Sequence, residues 1–238
     1  MNISAKDLDF KELNEQIRRS DSDITIEDCY GQRFIGSGES SSVIEINGIP
    51  GNALGAYLDG ALIKVNGNVQ DAVGDTMNAG KIVIDGNAGD ALGYAMRGGQ
   101  IYVKGDTGYR TGIHMKQYKD KKPVIVVGGK AGSFLGEYLA GGLIIVLGIG
   151  ADKVPTGNFT GTGMHGGQIF IRTDKKPSHL PKQVVANIAT KEEMEDIFGY
   201  IKEYSDNFGA DVKEILNSTF YLLKPNATNP YKQLYTAN

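Results

Sequence analysis

One cysteine, three histidines and no surplus of positive charge narrow the chemistry open to this 238-residue chain. A lone Cys29 excludes an internal disulfide framework and any cysteine-rich metal site. His114, His165 and His179 stand at no metal-ligand spacing, with no carboxylate placed to join them. Net charge is −3 and the pI about 5.7, so no overall basic field holds a phosphate backbone, and nucleic acid is not an expected partner. The most apolar run, Gly142 to Leu147, is far shorter than the roughly 20 residues of a membrane span. The amino terminus has no signal-peptide pattern, so the expected location is cytoplasmic and away from membranes.

What the chain has in abundance is glycine, 33 residues of it, phased in a repeat of nineteen. Seven units open at Cys29, Gly48, Gly67, Gly86, Gly105, Gly129 and Gly148 and close near Arg172. Each carries a glycine seven places in: Gly36, Gly55, Gly74, Gly93, Gly112, Gly136 and, after an insertion, Gly161. Three places further on stands Leu58, Met77, Met96, Met115, Leu139 or Met164, a core filler, with Glu39 as the exception. Then comes a short β-branched alternation, such as Ile63/Val65 or Ile125/Val127, which marks a strand with one buried face. A period in this range predicts a solenoid, because one turn cannot bury its own apolar side and must stack on a neighbour. Seven parallel strands at about 4.8 Å make a rod roughly 30 Å long. Five extra residues near Gln117–Lys121 and six before Gly161 are expected to leave the stack as loops.

Both ends of such a stack expose unpaired backbone and need covers. Ser4-x-x-Asp7 resembles a capping box, and Phe10, Leu13 and Ile17 follow at helical spacing, predicting a helix from about Asp7 to Arg19. After Arg172 the repeat stops and Lys175–Pro181 reads as a linker. Thr190-x-x-Glu193 opens a second helix, from about Lys191 to Phe208, with Gly209 as its stop. A shorter helix holds Val212, Ile215 and Leu216, and the tail from Phe220 to Asn238 is expected to be extended. The organisation is thus an amino-terminal cap (1–28), a β-helix (29–172) and a carboxy-terminal linker, helices and tail (173–238).

The candidates for chemistry mostly dissolve into the repeat. Gly161-Thr162-Gly163-Met164-His165-Gly166 matches a dinucleotide fingerprint, but it precedes a strand where the fingerprint should follow one and open a helix. Asp71, Asp75, Asp85 and Asp90 suggest calcium, yet Asp71 and Asp90 share a repeat position with Arg33, Asn52, Tyr109 and Ser133, so corner capping explains them better. One feature stands out: the outward middle residues of the strands, Val83, Tyr102, Val126, Ile145 and Phe170, form an apolar stripe. Either the carboxy-terminal helix or another subunit must cover it, which makes it a candidate partner surface.

Five stretches of the repeat carry a family likeness. Gly51–Tyr57, Gln70–Asp75, Asp90–Gly99, Phe134–Gly142 and Gly161–Gly167 resemble the glycine-repeat (GXGXG) domain at the carboxy end of the glutamate synthase large subunit, which is related to the C subunit of formylmethanofuran dehydrogenases. The resemblance spans roughly Tyr30 to Arg172 and implies a right-handed parallel β-helix that supports an enzyme without supplying catalytic residues. In that family the glutaminase nucleophile, flavin site and iron–sulfur ligands belong to other domains. Here residue 2 is Asn2 and only one cysteine exists, so no catalytic, cofactor-binding or metal-binding residue carries over. The implied role is a structural subunit beside class II glutamine amidotransferase and FMN/iron–sulfur synthase chains. The alternatives are a scaffold in a complex handling formyl groups or N-methylglutamate, a homo-oligomer, or a free-standing transferase with His114, His165 or Arg110 at its surface.

Overall fold

The computed structural model describes residues 1–20 and 22–226. Nine strands run parallel in chain order, and each turn of chain between them is one coil of a β-solenoid. They are β1 (Asn2–Ser4), β2 (Ile24–Tyr30), β3 (Val43–Ile49), β4 (Asp59–Asn66), β5 (Ala79–Ile84), β6 (Gln100–Val103), β7 (Val124–Val127), β8 (Ala140–Val146) and β9 (Gly166–Arg172). Two inward columns form the core. One runs Ile24, Ile44, Ile63, Ile82, Ile101, Ile125, Ile144, Ile169; the other runs Ile3, Ile26, Ile46, Val65, Ile84, Val103, Val127, Val146, Ile171. Every member is at most 3% exposed, and each aliphatic between the ends rests on the coil before and the coil after.

The strands enclose eight coils, one more than the glycine repeat shows. The extra coil is β1, helix α1 (Phe10–Arg18) and β2, and it has no repeat signature because a helix replaces the glycine arc. That helix starts later than its sequence suggested. Asp9 is the cap, its carboxylate accepting from the Lys11 and Glu12 N–H groups while Glu12 reaches back to the Asp9 N–H. Ser4 is needed in β1 and Asp7 takes a positive φ of 64°, so neither can serve a helix.

Elsewhere in the stack each arc is tied in both directions. Ala53 N–H donates onward to Asp71 O, Gly55 N–H back to Ile35 O, and Tyr57 N–H onward to Asp75 O. The first repeat arc has no such coil behind it. Asn14 of α1 fills the gap, its Oδ1 accepting from the Gly36 N–H at 3.2 Å and its Nδ2 reaching Phe10 O and Arg33 O.

The far end is closed by two antiparallel strands, β10 (Val184–Ile188) and β11 (Phe220–Pro225), in the order β9, β11, β10. Sequence reasoning found neither pairing, and Val184–Ile188 escaped it altogether. Leu223 with Val184 and Ala186 plugs the inner core, while Phe220 and Leu222 face the other side of the sheet. Between these strands lie α2 (Lys191–Phe208) and α3 (Val212–Leu216). Thr190 and Glu193 form the capping box of α2, and Gly209 ends it at a left-handed φ of 72°. Tyr231, Leu234 and Tyr235 of the expected tail lie outside the described residues.

Candidate functional site

The apolar stripe proposed as a partner surface is interior. Val83 is 9% exposed and Tyr102, Val126, Ile145 and Phe170 are 0% exposed, because α2 and α3 lie across them with Ile197, Ile201, Tyr204 and Ile215, while β11, beside β9 in the sheet, adds Phe220 and Leu222 to the same cluster. The chain therefore covers the stripe itself, and these five residues form a second core outside the coil.

Polar side chains fix the seat of α2. Tyr102 donates its hydroxyl to Glu203 Oε2 at 2.8 Å, Glu203 pairs with Lys81, and Tyr204 donates to the Lys104 carbonyl at 3.0 Å. Burial, with the Glu203 carboxylate beside it, raises the Tyr102 pKa, and burial pushes Tyr204 up to about 12. These phenols stay protonated at neutral pH and act as donors. Among the described residues no buried side-chain nitrogen or oxygen lacks a partner, so none is left aimed at an absent ligand.

The aspartates at the corners form ladders between coils. Asp71 Oδ1 accepts from the Asp90 N–H and Asp90 Oδ1 from the Tyr109 N–H, both at 2.8 Å; Asp75 accepts from the Thr76 hydroxyl and Asp85 pairs with Lys104. A second ladder runs Asn68, Asn87, Asp106, Lys130 along the next corner. In the two ladders Oδ1 of Asn68, Asp71, Asn87, Asp90 and Asp106 each accepts from a backbone N–H of the following coil. Among the described residues no group of three His, Cys, Asp or Glu could hold a metal ion. The dinucleotide-like glycines belong to the arc ahead of β9: Gly161 (φ 73°) and Gly163 (φ 69°) face Val184 and Tyr138, and a side chain at Gly166 would strike the Ala140 carbonyl.

Arg110, His114 and His165 lie on the arc face, each with its own contacts. Arg110 pairs with Glu137 at 3.1 Å and lies over the Phe134 ring, which stacks on Phe159 at 4.9 Å. His114 stacks on Tyr138 at 4.9 Å and meets the edge of Tyr94. His165 Nδ1 lies 3.1 Å from the Gly163 carbonyl oxygen. Arg110, His114, Phe134, Tyr138 and Phe159 all hold positive φ, at repeat positions where sister coils carry Ala53, Ala72, Ala91, Ala95 or Thr76. Large side chains there stand outward in two stacked rows. Sequence periodicity missed this, since the column is defined by a backbone conformation and not by a residue type.

The pattern described as the GXGXG motif matches residues 15–226. The chain belongs to the GXGXG motif family. The match begins within helix α1 and runs through the glycine arcs to the end of the closing strands. A relative is "Uncharacterized protein MJ1350" of Methanocaldococcus jannaschii, 46% identical over 250 residues, covering 98% of this chain and 95% of that one. Among solved structures, a chain of the formyltransferase/hydrolase complex FhcABCD from Methylorubrum extorquens, determined in complex with methylofuran, superposes with a TM-score of 0.62. It covers 84% of this chain and 71% of its own, at 22% identity, a likeness of fold. Among the described residues no helix is long and apolar enough to cross a membrane.

Proposed function

We propose that this protein is a non-catalytic structural subunit of a multi-chain oxidoreductase complex of the glutamate synthase type, assembled with a class II glutamine amidotransferase chain and an FMN/iron–sulfur synthase chain. The observation that carries this reading is the commitment of its polar side chains to the solenoid. The corner carboxylates bond the next coil, the buried phenols hold α2, and Arg110 and His114 are engaged in ion pairing and stacking. Membership of the GXGXG motif family supports it, since the glutamate synthase large subunit is resembled through the same glycine arcs. A rigid rod of repeated coils can hold two enzymes at a fixed separation.

A second reading has its own support. The structural likeness is to a chain of a formyltransferase/hydrolase complex, which supports the alternative of a scaffold in a complex handling formyl groups. Co-expression with class II glutamine amidotransferase and FMN/iron–sulfur synthase chains from the same genome tests the first reading. A stable stoichiometric complex is expected. Stoichiometric flavin or metal on the isolated chain, or ammonia release from glutamine by that chain alone, would overturn it.

A further inference from the structure

The net charge of −3 conceals a strongly basic band. From Arg97 to Lys130 the sequence holds eight Lys or Arg against two Asp, Asp106 and Asp120. The insertion at Gln117–Lys121 concentrates part of this band at one corner of the solenoid. It turns back as a small hairpin closed by Tyr118 and Lys121, and it brings Lys121 against Gly98 and within 3.4 Å of Asp59, 62 residues away. Lys116 is bonded through its N–H to Met96 O, which sets it one coil above Arg97. Arg97, Lys116 and Lys122 have no carboxylate partner among the described residues. Salt screens exposed charges beyond about 10 Å at 0.1 M, so the distant acidic side chains do not cancel this cluster.

Under the hairpin runs an open groove of about 460 Å³. Ala61, Leu62 and Ala79 form its apolar floor, Asn78 and Gln100 line it, and Lys81, Lys121 and Lys122 supply its basic rim. The acidic groups Asp59 and Glu203 lie beyond, paired with Lys121 and Lys81. We propose that this groove and its basic rim dock an extended acidic segment of a partner polypeptide, carboxylates on the lysines and aliphatic side chains on the floor. Charge complementarity selects an acidic partner. The apolar floor favours a polypeptide segment, with aliphatic as well as acidic side chains, over a continuous phosphate backbone, whose closely spaced charges the neighbouring Asp59 and Glu203 would repel. The inference rests on the reading of this chain as a subunit but not on which complex it joins.

The test uses the full chain and a fluorescein-labelled peptide of alternating glutamate and alanine, followed by anisotropy. Binding is expected at low salt, weakening about tenfold between roughly 50 and 300 mM salt. Lys116→Glu with Lys122→Glu should weaken it by a further factor of about ten. Lys175→Glu with Lys176→Glu, the same change in net charge at exposed positions far along the chain, should leave it unaltered. If the glutamate pair lowers the melting temperature, Lys116→Ala with Lys122→Ala is read in its place. No binding at low salt, equal losses in the two charge-reversed pairs, or preferential displacement by an oligothymidylate of equal length would each overturn the proposal. Salt-dependent dimerisation abolished by the Lys116/Lys122 pair would do so too, by making a second copy the occupant. Co-expression with enzyme subunits is a separate measurement, so failure here and failure of the functional reading are distinguishable.

Discussion

The hydroxyl of Tyr102, in the fourth glycine coil, donates to Glu203 of α2, 101 residues later and 2.8 Å away. That bond, with the buried aromatic body beneath it, joins the repeat to the segment that follows it. The carboxy-terminal helix is therefore part of the folding unit. Deleting the residues after Lys182 should leave Tyr102, Ile145 and Phe170 facing water, together with the open edge of β9. The truncated chain should aggregate and bind a hydrophobic dye, measured by light scattering and dye fluorescence. Soluble monomer without dye binding would show that the outer core is dispensable.

For the same reason Tyr102→Glu with Ile145→Glu should prevent folding, since both sites are 0% exposed and each variant buries an unpaired carboxylate. A folded, soluble double variant by circular dichroism would contradict the observed packing.

Ile125→Ala and Ile144→Ala should each cost about 2–5 kcal/mol in denaturant melts. By sequence alone Ile44 stands near a capped end, where a smaller loss is expected. In the structure it lies between Ile24 and Ile63 and is 0% exposed, so Ile44→Ala should cost as much as the other two. A distinctly smaller loss would mean that the first coil contributes little.

Gly93 has a φ of 68°, and a Cβ there would lie 2.5 Å from Ile125 Cδ1. Gly93→Val combines a β-branched residue in the left-handed region with overlap in the inner core, and soluble yield should fall sharply. Gly199 in α2 is the contrasting case, with open space at its Cα. Gly199→Ala should stabilise by about 0.5–1 kcal/mol, read as a higher urea midpoint.

Burial raises the Cys29 thiol from its ordinary 9.0 to about 11. A group whose folded pKa is raised contributes stability that is complete below pH 9.0 and is lost as pH climbs through about 11. Tyr204, pushed up to about 12 from 10.0, extends the same loss to higher pH. Urea midpoints should be level between about neutral pH and pH 9.0 and then fall, with Cys29→Ala delaying the onset. In the native state at pH 8, roughly, alkylation of Cys29 should be much slower than in urea. Rapid native-state labelling would place the thiol at the surface.

The nineteen-residue period by itself determined the parallel strands, the inward aliphatic columns, the arc glycines and the corner role of Asp71 and Asp90. These are local choices repeated in each coil, and repetition makes them visible along the chain. Thr190, Glu193 and Gly209 likewise marked α2, because capping acts within a few residues. Only the tertiary structure decided what has no repeat. Asn14 stands in for a missing coil, β10 and β11 close the far edge, and α2 folds back to bury Tyr102 and Phe170. The stripe shows that an apolar outward face must be covered but carries no information on what covers it, because hydrophobic burial has no direction and any apolar surface within reach can satisfy it. The basic corner escaped for a related reason: Arg97, Lys116 and Lys122 become one cluster only when the coils stack and the insertion turns back on them.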